Sequence, residues 1–254
     1  MTSLKLPRAL IVDFGGVIVA SKKPAGWQEI VADTALELAG SENLPPRERL
    51  VADITAGTKA AGQWRNAMSR PLRPRELSQQ EFVMDFIAAD WTKSQRAAIE
   101  PHITELSYRV SSTKEQRELR PGMRELLEFC REAEIPVAIV SNALSGQVHR
   151  DYLADEGLTD YFVAEIYSDE VGVRKPNPDF LLMGCDAVGL PASECWYVGD
   201  HLDRDVLCGT RAGIGANVLM PSPYAAAHPE VFGITADITT TDPAGLLAIM
   251  KDMA

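Results

Sequence analysis

The spacing of apolar positions changes character twice along the chain. Ala9-Leu10-Ile11-Val12 is an unbroken apolar run, as expected of a parallel strand buried on both faces. It stops at Asp13-Phe14, and Gly15-Gly16 breaks it. From about Ala20 to Glu118 the chain is rich in Ala, Glu, Gln and Arg, with helical spacing in Ile30, Thr34 and Leu38 and again in Phe82, Phe86 and Ala89. Pro45-Pro46, Arg70-Pro71 and Arg73-Pro74 punctuate it, and no strand is evident. This stretch predicts an insert of about four or five helices.

From Leu119 onward helix and strand alternate. Pro121 precedes a helix at about Met123–Glu134, and Pro136 leads into the strand Val137-Ala138-Ile139-Val140. A helix near Gln147–Glu156 and a short strand around Phe162–Ile166 follow. Asn177-Pro178 opens the next helix, with Asn at the N-cap and Pro at the first helical position. Then come the strand Cys195-Trp196-Tyr197-Val198, a helix to about Ala212, a strand at Ala216–Leu219, and a closing helix near Ala244–Met253. Such alternation predicts an α/β protein with a doubly wound parallel sheet, the helical domain being inserted after strand one. The expected division is a core of residues 1–19 plus 119–254 and an inserted domain of residues 20–118.

Ligands of an open α/β sheet bind beyond the carboxyl ends of the strands. Those ends carry Asp13, Ser141-Asn142 and Gly199-Asp200, while the loop after the third strand carries Lys175. Asp203 and Asp205 lie just beyond. Singly, each is ordinary turn, cap or surface chemistry. Together, at successive strand ends, they compose a site. A carboxylate such as Asp13 can attack phosphorus and form an acyl phosphate. Asp13 close to Asp200 and Asp205 would suffer like-charge repulsion, which a divalent cation relieves, and oxygen ligands indicate Mg²⁺. Lys175 would neutralise phosphate and carboxylate, and Ser141 with nearby backbone N–H groups would donate to phosphate oxygens. Glycines at 15 and 16 allow close backbone approach at the nucleophile.

Composition narrows the function further. The 254 residues carry a formal charge of −11, so no broad basic face awaits nucleic acid or anionic lipid. A mean hydropathy of −0.09 and the lack of any apolar run of about 20 residues argue against a membrane span. No small-residue cleavage site follows the first residues, so no signal peptide is expected. Cys130, Cys185, Cys195 and Cys208 show no metal-type spacing and read as reduced, mostly buried thiols, which suits the cytoplasm. No GxGxxG follows a strand, and Gly213-x-Gly215 lacks the third glycine. A serine esterase's GxSxG is also missing.

The chain resembles the haloacid-dehalogenase-like hydrolase superfamily. Four segments carry the likeness, in the family's order: Ile11-Val12-Asp13-Phe14-Gly15-Gly16-Val17, Ile139-Val140-Ser141-Asn142, Gly172-Val173-Arg174-Lys175-Pro176, and Val198-Gly199-Asp200-His201-Leu202-Asp203-Arg204-Asp205. The helical insert stands where that family places its first-type cap. The resemblance implies that Asp13 is the nucleophile and, with Asp200 and the backbone carbonyl of Gly15, a Mg²⁺ ligand. It implies that Ser141, Asn142 and Lys175 bind the phosphoryl group and that Asp205 acts from behind, ordering Lys175 or a metal-bound water. The departure is Gly15, where most phosphatase members carry a second Asp as general acid and base.

The leading expectation is therefore a Mg²⁺-dependent phosphatase acting on a small phosphorylated metabolite through an aspartyl-phosphate on Asp13, without nucleic acid or membrane partners. Nothing in the sequence fixes an oligomeric state. A haloacid dehalogenase also lacks the second Asp but needs no metal, and the acidic cluster at Asp200–Asp205 argues for one. A catalytically weak binding or regulatory protein is the third reading, with Gly15 as its support. A receiver module would carry its phosphorylated Asp on a middle strand and have no such insert. His201 is a candidate replacement acid. Lys22, Lys23, Arg65 and Arg70 are candidates to meet a second anionic group, and Trp27 and Trp64 to stack on a ring, although such residues are by default solvated or core positions. His102, His149 and His228 carry no pattern.

Overall fold

The computed structural model describes residues 4–222 and 233–254, and His228 lies outside them. The chain opens with β1 (Ala9–Val12), β2 (Val19–Lys22), α1 (Trp27–Ala39) and α2 (Arg47–Ala67). There follow α3 (Gln79–Glu81), continuing as a π-helical turn over Phe82–Ile87, then α4 (Lys93–Ile99), α5 (Ile103–Thr113) and β3 (Gln116–Leu119). The remainder is α6 (Met123–Glu132), β4 (Val137–Ser141), α7 (Gln147–Asp155), β5 (Phe162–Tyr167), α8 (Ser168–Val171), α9 (Pro178–Val188), β6 (Cys195–Gly199), α10 (Leu207–Ala212), β7 (Ala216–Leu219), β8 (Ile238–Thr239) and α11 (Pro243–Lys251).

Six strands form one parallel sheet in the order β5-β4-β1-β6-β7-β8. β1 is central: Val12 pairs with Ile139 of β4 on one side and Val198 of β6 on the other. The strand order reverses around it, so the carboxyl ends of β1, β4 and β6 open onto one crevice. All four residues of β1 and all five of both β4 and β6 are buried, which is why these strands read as continuous apolar runs. Leu10, Val12 and Val198 pack on one side with Met123 and Leu127 of α6, while Ile11, Val140 and Tyr197 pack on the other with Phe180 and Leu181 of α9.

The helix punctuation behaves as its chemistry demands. Asn177 caps α9 by accepting from the Asp179 amide at 3.0 Å, with Pro178 first in the helix. Ser78 with Glu81 and Thr92 with Gln95 close reciprocal capping boxes at α3 and α4. The inserted helices share a hydrophobic core of their own, centred on Leu50, Ile54, Phe82 and Val83. Gly57 sits inside α2 because a Cβ there would lie 2.5 Å from the Phe86 carbonyl oxygen.

Three features depart from the sequence reading. The stretch 20–118 is not free of strands: β2 and β3 pair antiparallel, Val19 with Leu119 through Lys22 with Gln116, and the expected boundaries fall within or beside them. These four-residue strands are polar or half-exposed, so no hydrophobic period announces them. A sixth strand, β8, extends the sheet edge with two residues. Finally, residues 70–79 leave the inserted helices and run along the loop that carries Lys175. There the Pro71 carbonyl accepts from Arg211 (2.8 Å), the Glu76 amide donates to the Gly172 carbonyl (2.9 Å), and Gln79 donates to the Leu144 carbonyl (2.9 Å).

Candidate active site

The crevice at the sheet edge is a cavity of about 540 Å³ between the strand ends and the inserted helices, lined by Asp13, Gly15, Ser141, Asn142, Lys175 and Asp200 among others. Of the other candidates His201, Lys23 and Arg65 also line it, whereas Lys22, Arg70, Trp27 and Trp64 do not, and Asp205 lies directly behind, 1% exposed.

Lys175 is the hub. Its side chain is 2% exposed, and its ammonium reaches Asp13 Oδ2 at 2.8 Å, Asp205 Oδ1 at 2.6 Å and the Tyr197 hydroxyl at 2.8 Å. Those three partners match the three N–H donors of an ammonium. Burial alone would lower the lysine's pKa, but Asp13 and Asp205 outweigh it and hold the ammonium above its ordinary value. An incoming phosphoryl oxygen can compete only for the donor facing Asp13, since Asp205 and Tyr197 are buried behind it.

Asp205 shows why a cluster of three carboxylates is not three metal ligands. Asp13, Asp200 and Asp205 each place an oxygen within 4.8 Å of the others. Yet Asp205 Oδ1 accepts from Lys175 and from Tyr197 (2.8 Å), and Oδ2 accepts from the amides of Asp200 (3.2 Å) and His201 (2.9 Å). Burial would raise its pKa, but Lys175, Arg204 and His201 together hold it well below the carboxylate range. Asp205 is thus a saturated anchor for Lys175 and for the turn bearing Asp200.

Asp200 has the opposite surroundings. It is 8% exposed, burial pushes its carboxyl up to about 7 and Asp205 adds to the rise, while His201 Nε2 is 3.7 Å away. A buried carboxyl held this high, facing Asp13 across a cavity, is a position that a hard cation would stabilise, and the all-oxygen donor set fits one. Gly16 makes the approach possible: its φ is +78°, and a Cβ there would fall 2.1 Å from Asp200 Oδ2. Buried Arg120 donates to the carbonyls of Gly16 and Thr241, fixing the turn from beneath.

Asn142 lines the cavity, but its side chain works on the backbone. Its Oδ1 accepts from the Lys175 amide at 2.9 Å, which ties the ends of β4 and the lysine loop together. Ser141, 2% exposed, ends β4 beside it. At position 15 the space is open: a Cβ would meet no atom within 4 Å.

Sequence reasoning missed three participants. Tyr197 read as one more apolar strand residue, although its hydroxyl bridges Lys175 and Asp205. Glu76 sits in an aperiodic Arg/Pro-rich stretch; its 5%-exposed carboxylate accepts from Arg174 (2.8 Å), Ser168 (2.6 Å) and the Leu77 amide (2.8 Å). His149 stacks on Phe14, centroids 4.0 Å apart, and lines the cavity; burial holds it well below its usual pKa, as a neutral ring. No local signal in the sequence marks any of the three.

Comparison with known proteins gives the family and the fold. The family model for haloacid dehalogenase-like hydrolases matches residues 7–213, so the chain belongs to that family of hydrolases. It is 26% identical over 220 residues to the phosphoglycolate phosphatase of Aliivibrio fischeri, covering 86% of this chain and 91% of that one. It is 30% identical over 98 residues to the glyceraldehyde 3-phosphate phosphatase of Methanopyrus kandleri, a match spanning 39% of this chain and only 42% of that protein. Among solved structures, CbbY of Rhodobacter sphaeroides in complex with phosphate shares the fold at a TM-score of 0.60 and 18% identity, covering 94% of this chain and 96% of that one. No helix among the described residues is long and apolar enough to cross a membrane.

Proposed function

We propose that this hydrolase is a Mg²⁺-dependent phosphatase that cleaves a small phosphorylated metabolite through an aspartyl-phosphate on Asp13. The observation that carries the reading is the division of labour among three neighbouring carboxylates. Asp205 is saturated and holds Lys175, Lys175 meets Asp13 at 2.8 Å, and Asp200 faces the cavity with its carboxyl held up to about 7 by burial despite His201 at 3.7 Å. The phosphatase names of the relatives point the same way.

In this mechanism an Asp13 carboxylate oxygen attacks phosphorus, the bond from phosphorus to the leaving oxygen breaks, and that oxygen departs with the electron pair. Water then attacks the phosphorus of the acyl phosphate and returns Asp13. Lys175 orients Asp13 and offsets charge on the phosphoryl oxygens; Ser141 donates to one of them. Asp13, Asp200 and the Gly15 carbonyl would hold Mg²⁺, which supplies positive charge against the carboxylate–phosphate repulsion. With glycine at position 15, the leaving oxygen meets no carboxylic acid on that side, so activated esters should react best. The four cysteines are free and buried, which supports a cytoplasmic setting.

The test is phosphate release from an aryl phosphate with Mg²⁺, lost with chelator and restored by Mg²⁺. Chelator-resistant release of halide from a haloacid would replace this reading with the dehalogenase. Binding of a phosphorylated metabolite without turnover would replace it with the regulatory one.

A further inference from the structure

The cavity is unlike the rest of this acidic protein in its charge: among the described residues, seven basic and four acidic side chains line it, in a chain whose formal charge is −11. Four of the basic ones, Lys23, Arg65, Lys114 and Arg117, come from the insert or its connecting strands rather than from the strand ends. Two acids stand on that side, and both are engaged. Glu115 pairs with Arg117 at 3.6 Å, and Glu76 is shared between Arg174 at 2.8 Å and Arg65 at 3.6 Å while also accepting from Ser168 and the Leu77 amide.

That leaves positive charge over. Arg65 is four-fifths buried, with a side chain 19% exposed, and its Nη2 has no hydrogen-bond partner among the described residues. A buried donor left without an acceptor is costly unless something occupies it. Lys114 forms no ion pair among the described residues. Burial holds its ammonium below the usual lysine value, Glu115 opposes this, and Arg65 and Lys23 press it further down. Three cations within electrostatic reach of one another, facing one cavity, are stable together when an anion joins them.

We infer that Lys23, Arg65 and Lys114 form a second anion-binding subsite, which selects substrates carrying a carboxylate or a second phosphate at the end remote from the phosphoryl group that is transferred. This rests on the phosphatase reading above and narrows its substrate class. Lys23, exposed at the mouth beyond β2, draws the anion in; Lys114 and Arg65 receive it deeper.

The experiment compares three primary alkyl phosphates: 2-hydroxyethyl phosphate, with an uncharged far end; phosphoglycolate, with a carboxylate; and ethylene glycol bisphosphate, with a phosphate. The wild type should favour at least one charged probe over the uncharged one by about tenfold in kcat/KM, mainly through KM, the size of one partly desolvated charge pair. The favoured probe identifies the group as carboxylate or phosphate. Lys114→Met should collapse that ratio and Lys114→Arg should retain most of it. Lys23→Met, an exposed change that cannot compromise the core, should reduce the ratio by a smaller factor and keeps the test open if Lys114→Met does not fold. Equal kcat/KM on all three probes, or a ratio untouched by both methionine variants, overturns the subsite while phosphate release still stands. Absence of release from these probes and from an aryl phosphate overturns the phosphatase reading and the subsite with it.

Discussion

The two walls of the cavity solve the problem of buried charge in opposite ways. At the sheet edge, Lys175, Asp13, Asp205 and Tyr197 compensate one another, and Asp200 alone is left high in pKa. At the insert wall, Arg65 and Arg174 share one carboxylate and Lys114 has none. On the proposed reading the first wall would receive a cation beside Asp200 and the second an anionic group remote from the transferred phosphoryl group, one deficit for each end of the substrate.

The comparison breaks most visibly at the nucleophile. Asp13→Asn keeps the side chain's shape and removes its charge, so turnover should fall by about three orders of magnitude or more with the fold retained. Steady-state assays with circular dichroism check this; near-native turnover would end the covalent mechanism. Asp205→Ala tests the first wall as structure: a buried ammonium loses its deepest partner, and two backbone amides lose their acceptor. Stability should drop by about 3–5 kcal/mol in denaturant unfolding.

Gly15→Asp sharpens the account from the other side. The position is open and its φ is not left-handed, so the new carboxyl can be accommodated facing the cavity. As a general acid it should raise kcat/KM on alkyl phosphates by about 10–100-fold and on aryl phosphates far less. A uniform change across leaving groups would show that His201 or another acid already serves. His201→Ala, read on the same plot of log(kcat/KM) against leaving-group pKa, should steepen the slope only if that histidine protonates the leaving oxygen.

The pH dependence tests the contrast without any substitution. Asp200 has its pKa raised from 3.8 to about 7 without a cation, so the folded state binds its proton more tightly than the unfolded chain. That contribution is complete below about pH 4 and is lost as pH rises through 7. Cation-free protein should therefore lose thermal stability across that window, and saturating Mg²⁺ should flatten the loss. Asp205, whose pKa is depressed, works with the opposite sign: its contribution is present above pH 4 and disappears in strong acid. A melting-temperature profile with and without Mg²⁺ separates the two.

How much of this could be read beforehand follows from which signals are local. Asp13, Ser141, Asp200 and Lys175 were legible because each ends or follows a short apolar run, and the α/β pattern places such ends together. Tyr197 was not, since nothing in Cys195-Trp196-Tyr197-Val198 shows that one hydroxyl of a buried strand meets a lysine 22 positions earlier. Asn142 was legible as a site residue but its task, holding the Lys175 backbone, depends on the lysine loop passing the end of β4. β2, β3 and β8 are too short and too exposed to show a period, and the path of residues 70–79 along the lysine loop is fixed by long-range bonds, from Arg211 and Gln79 side chains and the Glu76 amide, that leave no local pattern. The basic residues of the insert were visible singly; their convergence on one cavity is a property of the fold.

The most direct test of the central claim is chemical trapping at position 13. Protein mixed with Mg²⁺ and an aryl phosphate, quenched during turnover and reduced with borohydride, should yield homoserine in place of Asp13 in the peptide spanning β1, because hydride converts an acyl phosphate to the alcohol. The Asp13→Asn protein should yield none. Recovery of unmodified aspartate at position 13 throughout a turnover that releases phosphate would contradict the account.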